Sequence, residues 1–191
     1  MDFADPLGLA ERLLSAGDEA AALAAYEQAA REARARFDPL TEACAKLGTG
    51  DVHRLAGNDE AARAAYEEAA QRAVEGGSVL VEADAHFALA LTAFDAGRSK
   101  DGHDALLEAM ELYRREPGDA AKSRLARSVR LYGEHLTVLG NAVEANRALE
   151  LARSIYRELG DAGAAASVDE DLKRIEADRR RAVATNPTAP R

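Results

Sequence analysis

A repeat about forty residues long is the feature that most constrains how this chain can fold. Residues 17–29 read GDEAAALAAYEQA, and residues 57–70 read GNDEAARAAYEEAA. Tyr26 and Tyr66 hold the same place in the two copies, as do Gly17 and Gly57. Self-similarity at a fixed period of this size is typical of solenoids, in which each unit buries its apolar face only against its neighbours.

Composition makes the helix the expected building block. Hydrophobic residues make up 47% of the chain, yet aromatic residues make up only 5% and there is no tryptophan. Much of the apolar content is alanine, the strongest helix former, and proline is scarce. Capping residues, glycines and apolar spacing predict helices over 6–16, 18–37, 39–56, 59–75, 78–96, 100–116, 119–139, 142–159 and 162–183.

These helices predict one all-α domain over residues 1–184, an α-solenoid of antiparallel helix pairs. Its repeats are expected at about 3–38, 39–77, 78–117 and 118–160. The ninth helix places Val168, Leu172 and Ile175 in a narrow stripe surrounded by charge, which suits a cap on the open end. Residues 185–191, TNPTAPR, are expected to form a disordered tail.

The repeats resemble tetratricopeptide (TPR) repeats. That pattern has a large apolar residue and then Gly or Ala in the first helix, Gly in the turn, and Ala, an aromatic and Ala in the second helix. The first copy has Leu9-Ala10, Gly17, Ala22, Tyr26 and Ala29, and the second has Thr49-Gly50, Gly57, Ala62, Tyr66 and Ala69. The third has Leu89-Ala90, Gly97, Gly102, Leu106 and Ala109, and the fourth has Tyr132-Gly133, Gly140, Ala145, Leu149 and Ala152.

Two features depart from this pattern: Gly102 replaces alanine in the third copy, and tryptophan is missing. The forty-residue spacing is similar to the long-helix variants of the family, as in kinesin light chains and bacterial regulators. The resemblance implies a right-handed superhelix whose concave wall is lined by the first helix of each pair. It also implies that a segment of a partner protein lies along this wall.

Helical phase predicts which side chains face that wall. They are Glu11 in the first repeat, Asp51 and Arg54 in the second, Asp84, Phe87, Leu91 and Phe94 in the third, and Arg127, Arg130 and Glu134 in the fourth. The groove would then be acidic in the first repeats, apolar in the third and basic in the fourth. The three apolar groups form a pocket for a partner, or else a neighbouring helix or the terminal helix covers them. The carboxylate clamp of chaperone-binding TPR proteins is not matched, because Glu11 and Asp51 stand where asparagine would be.

Charge and cysteine content argue against several classes of partner and compartment. A formal net charge of −9 disfavours nucleic acid and anionic membranes, since both attract basic proteins. The single cysteine, Cys44, allows no intrachain disulfide, and neither a secretory signal nor a membrane-spanning run is recognised. The expected location is the cytoplasm, and the preference for arginine over lysine suggests a GC-rich bacterial genome.

No sequence motif predicts catalysis, a cofactor or a metal. HExxH, P-loop and GxGxxG patterns are absent, and His53, His86, His103 and His135 lie on different predicted helices. The sequence therefore favours a protein–protein adaptor over an enzyme. The alternative is a regulatory module that senses a peptide or small molecule and acts on a separate effector chain. Self-association through the ninth helix is compatible with either role.

Overall fold

A computed structural model describes residues 5–185, apart from the side chains of residues 179 and 182–185. Its helices are α1 (Pro6–Ser15), α2 (Glu19–Ala35), α3 (Pro39–Leu55), α4 (Asp59–Glu75), α5 (Val79–Asp95), α6 (Ser99–Arg115), α7 (Asp119–Val138), α8 (Ala142–Glu158) and α9 (Ala162–Thr185). Each bound lies within two residues of the one predicted from the sequence. Thr185 is the last residue of α9, and the rest of the predicted tail, 186–191, lies outside the described residues.

The residues predicted to begin the helices act as N-caps. The Asp38 side chain accepts a hydrogen bond from the Thr41 backbone N–H at 3.0 Å, and Asp18 accepts one from Ala21 at 3.1 Å. Ser78 accepts one from the Val81 N–H at 3.3 Å. These bonds satisfy backbone donors that have no partner within the first turn of a helix.

The chain packs as two compact units, one ending at Glu116 and the other starting at Pro117. Unit 1 contains α1 to α6, in which each helix packs against the next along the chain. Unit 2 contains α7, α8 and α9. The single domain predicted over residues 1–184 stays a prediction.

Tyrosine rings set against glycine hold the helices of unit 1 close together. Tyr66 is fully buried, and a Cβ atom added at Gly50 would lie 2.4 Å from its ring. Tyr26, 5% exposed, lies against Gly48 in the same way, at 2.2 Å. The sequence-based expectation that tyrosine fills the space beside a close helix crossing is thus confirmed, and any side chain at these glycines would displace the ring.

Unit 2 is completed by its terminal helix. Leu149 of α8 lies against Gly133 of α7, where an added Cβ would be 2.8 Å from the leucine Cγ. Helix α9 packs on α8 and also reaches α7. Val168 is fully buried and Ile175 is 5% exposed, so the predicted apolar stripe of this helix is used within the unit.

Candidate partner-binding groove

The first helices of the three pairs in unit 1 contact one another directly. Helix α3 touches both α1 and α5 in addition to the second helices beside it. On α3, a stripe at helical spacing is half-buried, formed by Cys44, Leu47, Asp51 and Arg54. We call the surface formed by this stripe and its neighbours on α1 and α5 the inner wall of unit 1.

Carboxylates from three helices converge on this inner wall. Burial raises the pKa of the Tyr26 hydroxyl, and the charges of Glu11 and Asp51 raise it further. Burial likewise raises the pKa of the Cys44 thiol, with Asp84, Asp38 and Glu11 adding to the effect. Glu11 of α1 acts on both groups, Asp51 of α3 on Tyr26 and Asp84 of α5 on Cys44, so each of the three helices places a negative charge near Tyr26 or Cys44.

Two of these carboxylates are held by tyrosines of the second helices. The Tyr66 hydroxyl of α4 donates to Asp51 Oδ1 at 2.7 Å. In the next pair, the Tyr113 hydroxyl of α6 donates to Asp84 Oδ1 at 2.6 Å. Burial raises the pKa of Tyr66, as does the charge of Asp51, so the phenol keeps its proton and remains a donor. Each of these tyrosines thus fixes one carboxylate in position.

Helical phase predicts Asp51 and Asp84 on this wall, but the sequence does not indicate their tyrosine partners. Tyr113 and Asp84 are 29 residues apart, and helical phase within one helix carries no information about such a pairing. Tyr66 and Asp51 are only 15 residues apart, and the forty-residue period places Leu106 and Leu91 at the corresponding positions of the next repeat, so the repeat pattern does not indicate the second pairing either.

Arg54, the cation predicted on this wall, is part of an ion pair. Arg54, half-buried, forms an ion pair with Asp95 of α5, with Nη1 and Oδ2 3.5 Å apart. Burial lowers the pKa of Arg54, but its contact with Tyr66 and the charges of Asp51 and Asp95 raise it above the usual value, so this cation offsets part of the negative charge of Asp51. The acidic character predicted for the first repeats stays a prediction.

The predicted apolar surface on α5 requires a correction. Phe87 is only 7% exposed, so the expectation that it faces the groove is wrong. Phe94 is half-buried and directs its ring at Gly102 of α6, where an added Cβ would lie 2.5 Å away. Leu91 is half-buried. Of the two alternatives left open by the sequence, coverage by neighbouring helices holds for Phe87.

The predicted basic face of the fourth repeat is also corrected at Arg130. Its guanidinium contacts Asp171 of α9 at 2.7 Å and Glu134 at 3.0 Å. Asp171 is 8% exposed, so this pair joins α7 to the terminal helix. Arg127 and Glu134 are exposed in unit 2, and their role as partner contacts stays a prediction.

The thiol of Cys44 offers a direct measure of the charge on the inner wall. A thiol whose pKa is raised has less thiolate at a given pH, and the thiolate is the form that reacts with iodoacetamide. Asp84→Asn removes a charge that raises this pKa while keeping an oxygen acceptor for Tyr113. We expect its alkylation at pH 8 to be roughly two- to fivefold faster than in the wild type, because one pKa unit is worth about tenfold in thiolate.

The matched control for this experiment is Glu150→Gln, which removes the same charge from an exposed position of α8. Its alkylation rate should equal that of the wild type. Equal rates for Asp84→Asn and wild type would contradict the convergence of Asp84 on Cys44.

In the described part of the chain, no group of three or more His, Cys, Asp or Glu side chains is placed to hold a metal ion. Nor does any helix there have the length and apolar character required to cross a membrane.

The stacked helix pairs and their tyrosine–glycine contacts define the class of fold, that of TPR-like α-solenoids. No protein-family model matches the chain, and no curated protein matches its sequence. Solved structures do match. BtubC (BKLC) from P. vanneervenii is similar with a TM-score of 0.67 and 19% identity, over 96% of this chain and 80% of that one.

A putative kinesin light chain from Podosopora anserina, with nearly identical TPR-like repeats, is similar with a TM-score of 0.59 and 14% identity. That match covers 92% of this chain and 95% of the other. At such identities the likeness concerns the fold. The chain is therefore an all-α, TPR-like solenoid, as the sequence predicted.

Proposed function

We propose that this protein is a scaffold that holds a segment of another protein along the inner wall of unit 1. TPR-like repeat proteins generally mediate protein interactions, which supports a role as a protein-binding scaffold. The observation that supports this wall as the binding surface is that Tyr66 and Tyr113 hold Asp51 of α3 and Asp84 of α5 by hydrogen bonds. Glu11 of α1 adds a third carboxylate, whose charge acts on both Tyr26 and Cys44. Binding, not catalysis, is the activity proposed.

The charge of this wall favours a partner segment that carries lysine or arginine. The three carboxylates lie on the first helices of three neighbouring pairs. An extended partner segment that crosses α1, α3 and α5 would therefore meet one carboxylate after another. Tyr66 and Tyr113 hold two of them in place, which reduces the entropy lost when a cation binds. Leu91 and Phe94, both half-buried on α5, would supply apolar contact beside Asp84.

The other predicted contact residues have smaller roles in this proposal. Arg54 would act through Asp95, its ion-pair partner, and Phe87 would support α5 from within the core. Arg127, Arg130 and Glu134 would form a separate contact surface in unit 2. A reducing cytoplasm would suit a chain whose only cysteine lies on the proposed binding wall.

Selection from an unbiased library of displayed peptides tests this proposal. We expect the selected peptides to be enriched in lysine and arginine and to bind more weakly as the salt concentration rises. The variant Glu11→Gln/Asp51→Asn/Asp84→Asn keeps the side-chain shapes and removes three charges. Its affinity for a selected peptide should fall at least about tenfold, as expected for the loss of interfacial charge pairs.

A second triple variant, Glu67→Gln/Glu108→Gln/Glu150→Gln, removes three charges from exposed positions of the second helices. It should bind like the wild type. Enrichment of acidic peptides, or equal losses in the two triple variants, would refute the proposed wall. If no peptide is selected and a small molecule raises the melting temperature, the regulatory module is favoured instead.

A further inference from the structure

At one helix end of this protein, a phenylalanine occupies the turn position that is glycine at the comparable helix ends. Within the described residues, seven helix ends share a turn in which a residue of positive φ donates its N–H to the carbonyl three positions back. Six of these residues are glycines with φ between 69° and 79°: Gly17, Gly57, Gly77, Gly97, Gly140 and Gly160. The seventh is Phe37, with φ 57°. This left-handed conformation is unfavourable for a bulky L-residue and is readily adopted by glycine.

The strained Phe37 is also exposed. Its side chain is 93% exposed, so within one chain the ring gains almost nothing from burial. Glycine would form the same turn without strain and without an aromatic ring in water. Local strain combined with an uncovered aromatic group is typical of a contact surface.

A cleft of about 300 Å³ lies beside Phe37, between the ends of α2 and α4 and the start of α3. Phe37 itself lines one side of it, and the rest of the lining includes Pro39, Glu42, Glu75 and two arginines, Arg34 and Arg72. Glu42 is 3% exposed, and its carboxylate accepts a hydrogen bond from Arg34 Nε at 2.9 Å. The same oxygen lies 3.4 Å from Arg72 Nε. One buried carboxylate therefore anchors both guanidinium groups.

Such a cleft suits an aromatic ring. A guanidinium group held in place offers a flat cationic face on which an aromatic ring stacks. A cavity of about 150 Å³ is large enough for a benzene ring, so this cleft has room for one. We call Phe37 together with this cleft the Phe37 patch.

We infer that two copies of this chain associate through the Phe37 patch, with the ring of each copy entering the cleft of the other. The patch holds both halves of such a contact, an uncovered ring and a cleft for a ring, as a two-fold interface requires. The cleft is lined by two arginines and by the three carboxylates of Asp38, Glu42 and Glu75, so its charges nearly balance and the patch meets its own copy without strong repulsion. Asp38, which also borders the cleft, directs its carboxylate at Thr41 as the cap of α3.

This surface differs from the one on which the sequence placed self-association. The α9 stripe is already used, since Val168 and Ile175 are buried within the same chain. A small patch and a net charge of −9 favour a weak dimer, with a dissociation constant on the order of micromolar or above.

Sedimentation velocity of the full chain, over roughly 5 µM to 500 µM to span this affinity range, tests the inference. The average mass of the wild type should rise with concentration from 20.3 kDa towards twice that value. Phe37→Gly should remain at the monomer mass throughout. Because this variant relieves the strained turn, its melting temperature at low concentration should rise by roughly 2–4 °C.

Two further variants separate this contact from general hydrophobic association. Val138→Ala shortens another exposed apolar side chain, 84% exposed and located in unit 2, and should associate like the wild type. Arg34→Lys keeps the charge but loses the flat guanidinium, and should weaken association at least about threefold, as expected for a lost stacking contact. A wild type that stays monomeric throughout, or a Phe37→Gly variant that still associates, would overturn the inference.

Discussion

Replacing Tyr66 with alanine is expected to lower the free energy of unfolding by about 3–5 kcal/mol, the usual range for a large aromatic residue in a core. The side chain is fully buried, and its ring fills the space beside Gly50. Its removal leaves a cavity between α3 and α4 and takes the hydroxyl donor from Asp51. The better helix propensity of alanine returns only about 0.5 kcal/mol, so the loss of packing dominates. Denaturant unfolding followed by circular dichroism measures the change.

Two variants of α4 separate packing from hydrogen bonding. Tyr66→Phe keeps the ring and removes the hydroxyl, so it should lose only about 1.5–3 kcal/mol, the range for a hydrogen bond to a charged group. Gln71→Ala changes an exposed residue of the same helix and should shift stability by less than about 0.5 kcal/mol. If Tyr66→Ala were as stable as Gln71→Ala, the ring could not be filling the space beside Gly50.

The order and bounds of the helices could be predicted because their signals are local. Each depends on a cap, a turn residue or apolar spacing within a few positions of the helix end, as at Asp18 and Ser78. The forty-residue period then indicated how successive helices pack, since equivalent residues such as Tyr26 and Tyr66 must meet equivalent neighbours. A solenoid is well suited to this reasoning because most of its contacts join helices that are adjacent in the chain.

Helical phase was less informative about the candidate site, because it gives the face of a helix and not the neighbour that covers that face. Arg130 has the phase of a groove residue, yet its partner Asp171 lies 41 residues further along the chain. Phe94 has the same phase on α5, and its ring fills the space left by the missing side chain of Gly102. That glycine was a departure from the repeat pattern in the sequence, and the structure explains it as room for a phenylalanine.

Phe37 shows a different limit of sequence reasoning. Its segment lacks the glycine that ends most other helices, and the Asp38-Pro39 step was sufficient to predict a break there. The sequence could not indicate that the turn would keep the left-handed geometry of its glycine counterparts. That geometry arises because the Asp38 N–H bonds to Ala33 and the Phe37 N–H to Arg34, as at the other helix ends.

The second large effect is expected in unit 2. Val168→Asp should destabilise the packing of α9 by at least about 3 kcal/mol, because it would bring an unpaired charge into an apolar contact. Val168 is fully buried, and Asp169 and Asp171 already place negative charge on the same helix. Because α9 packs on α8 and reaches α7, its detachment would uncover the core of the unit. Hydrogen exchange read by mass spectrometry should show faster exchange throughout α7, α8 and α9.

Ala166→Asp is the matched control, because it adds the same charge to an exposed position of α9 two residues away. Exchange in α7 and α8 should then stay near that of the wild type, since the added carboxylate remains in water. The difference between the two variants isolates burial from charge, which they share. The loss of helix propensity is larger in the control, by roughly 0.5 kcal/mol, so it works against the expected difference. If both variants left α7 and α8 equally protected, α9 would be an appended helix, and the ion pair between Arg130 and Asp171 would be a surface contact instead of a junction of the core.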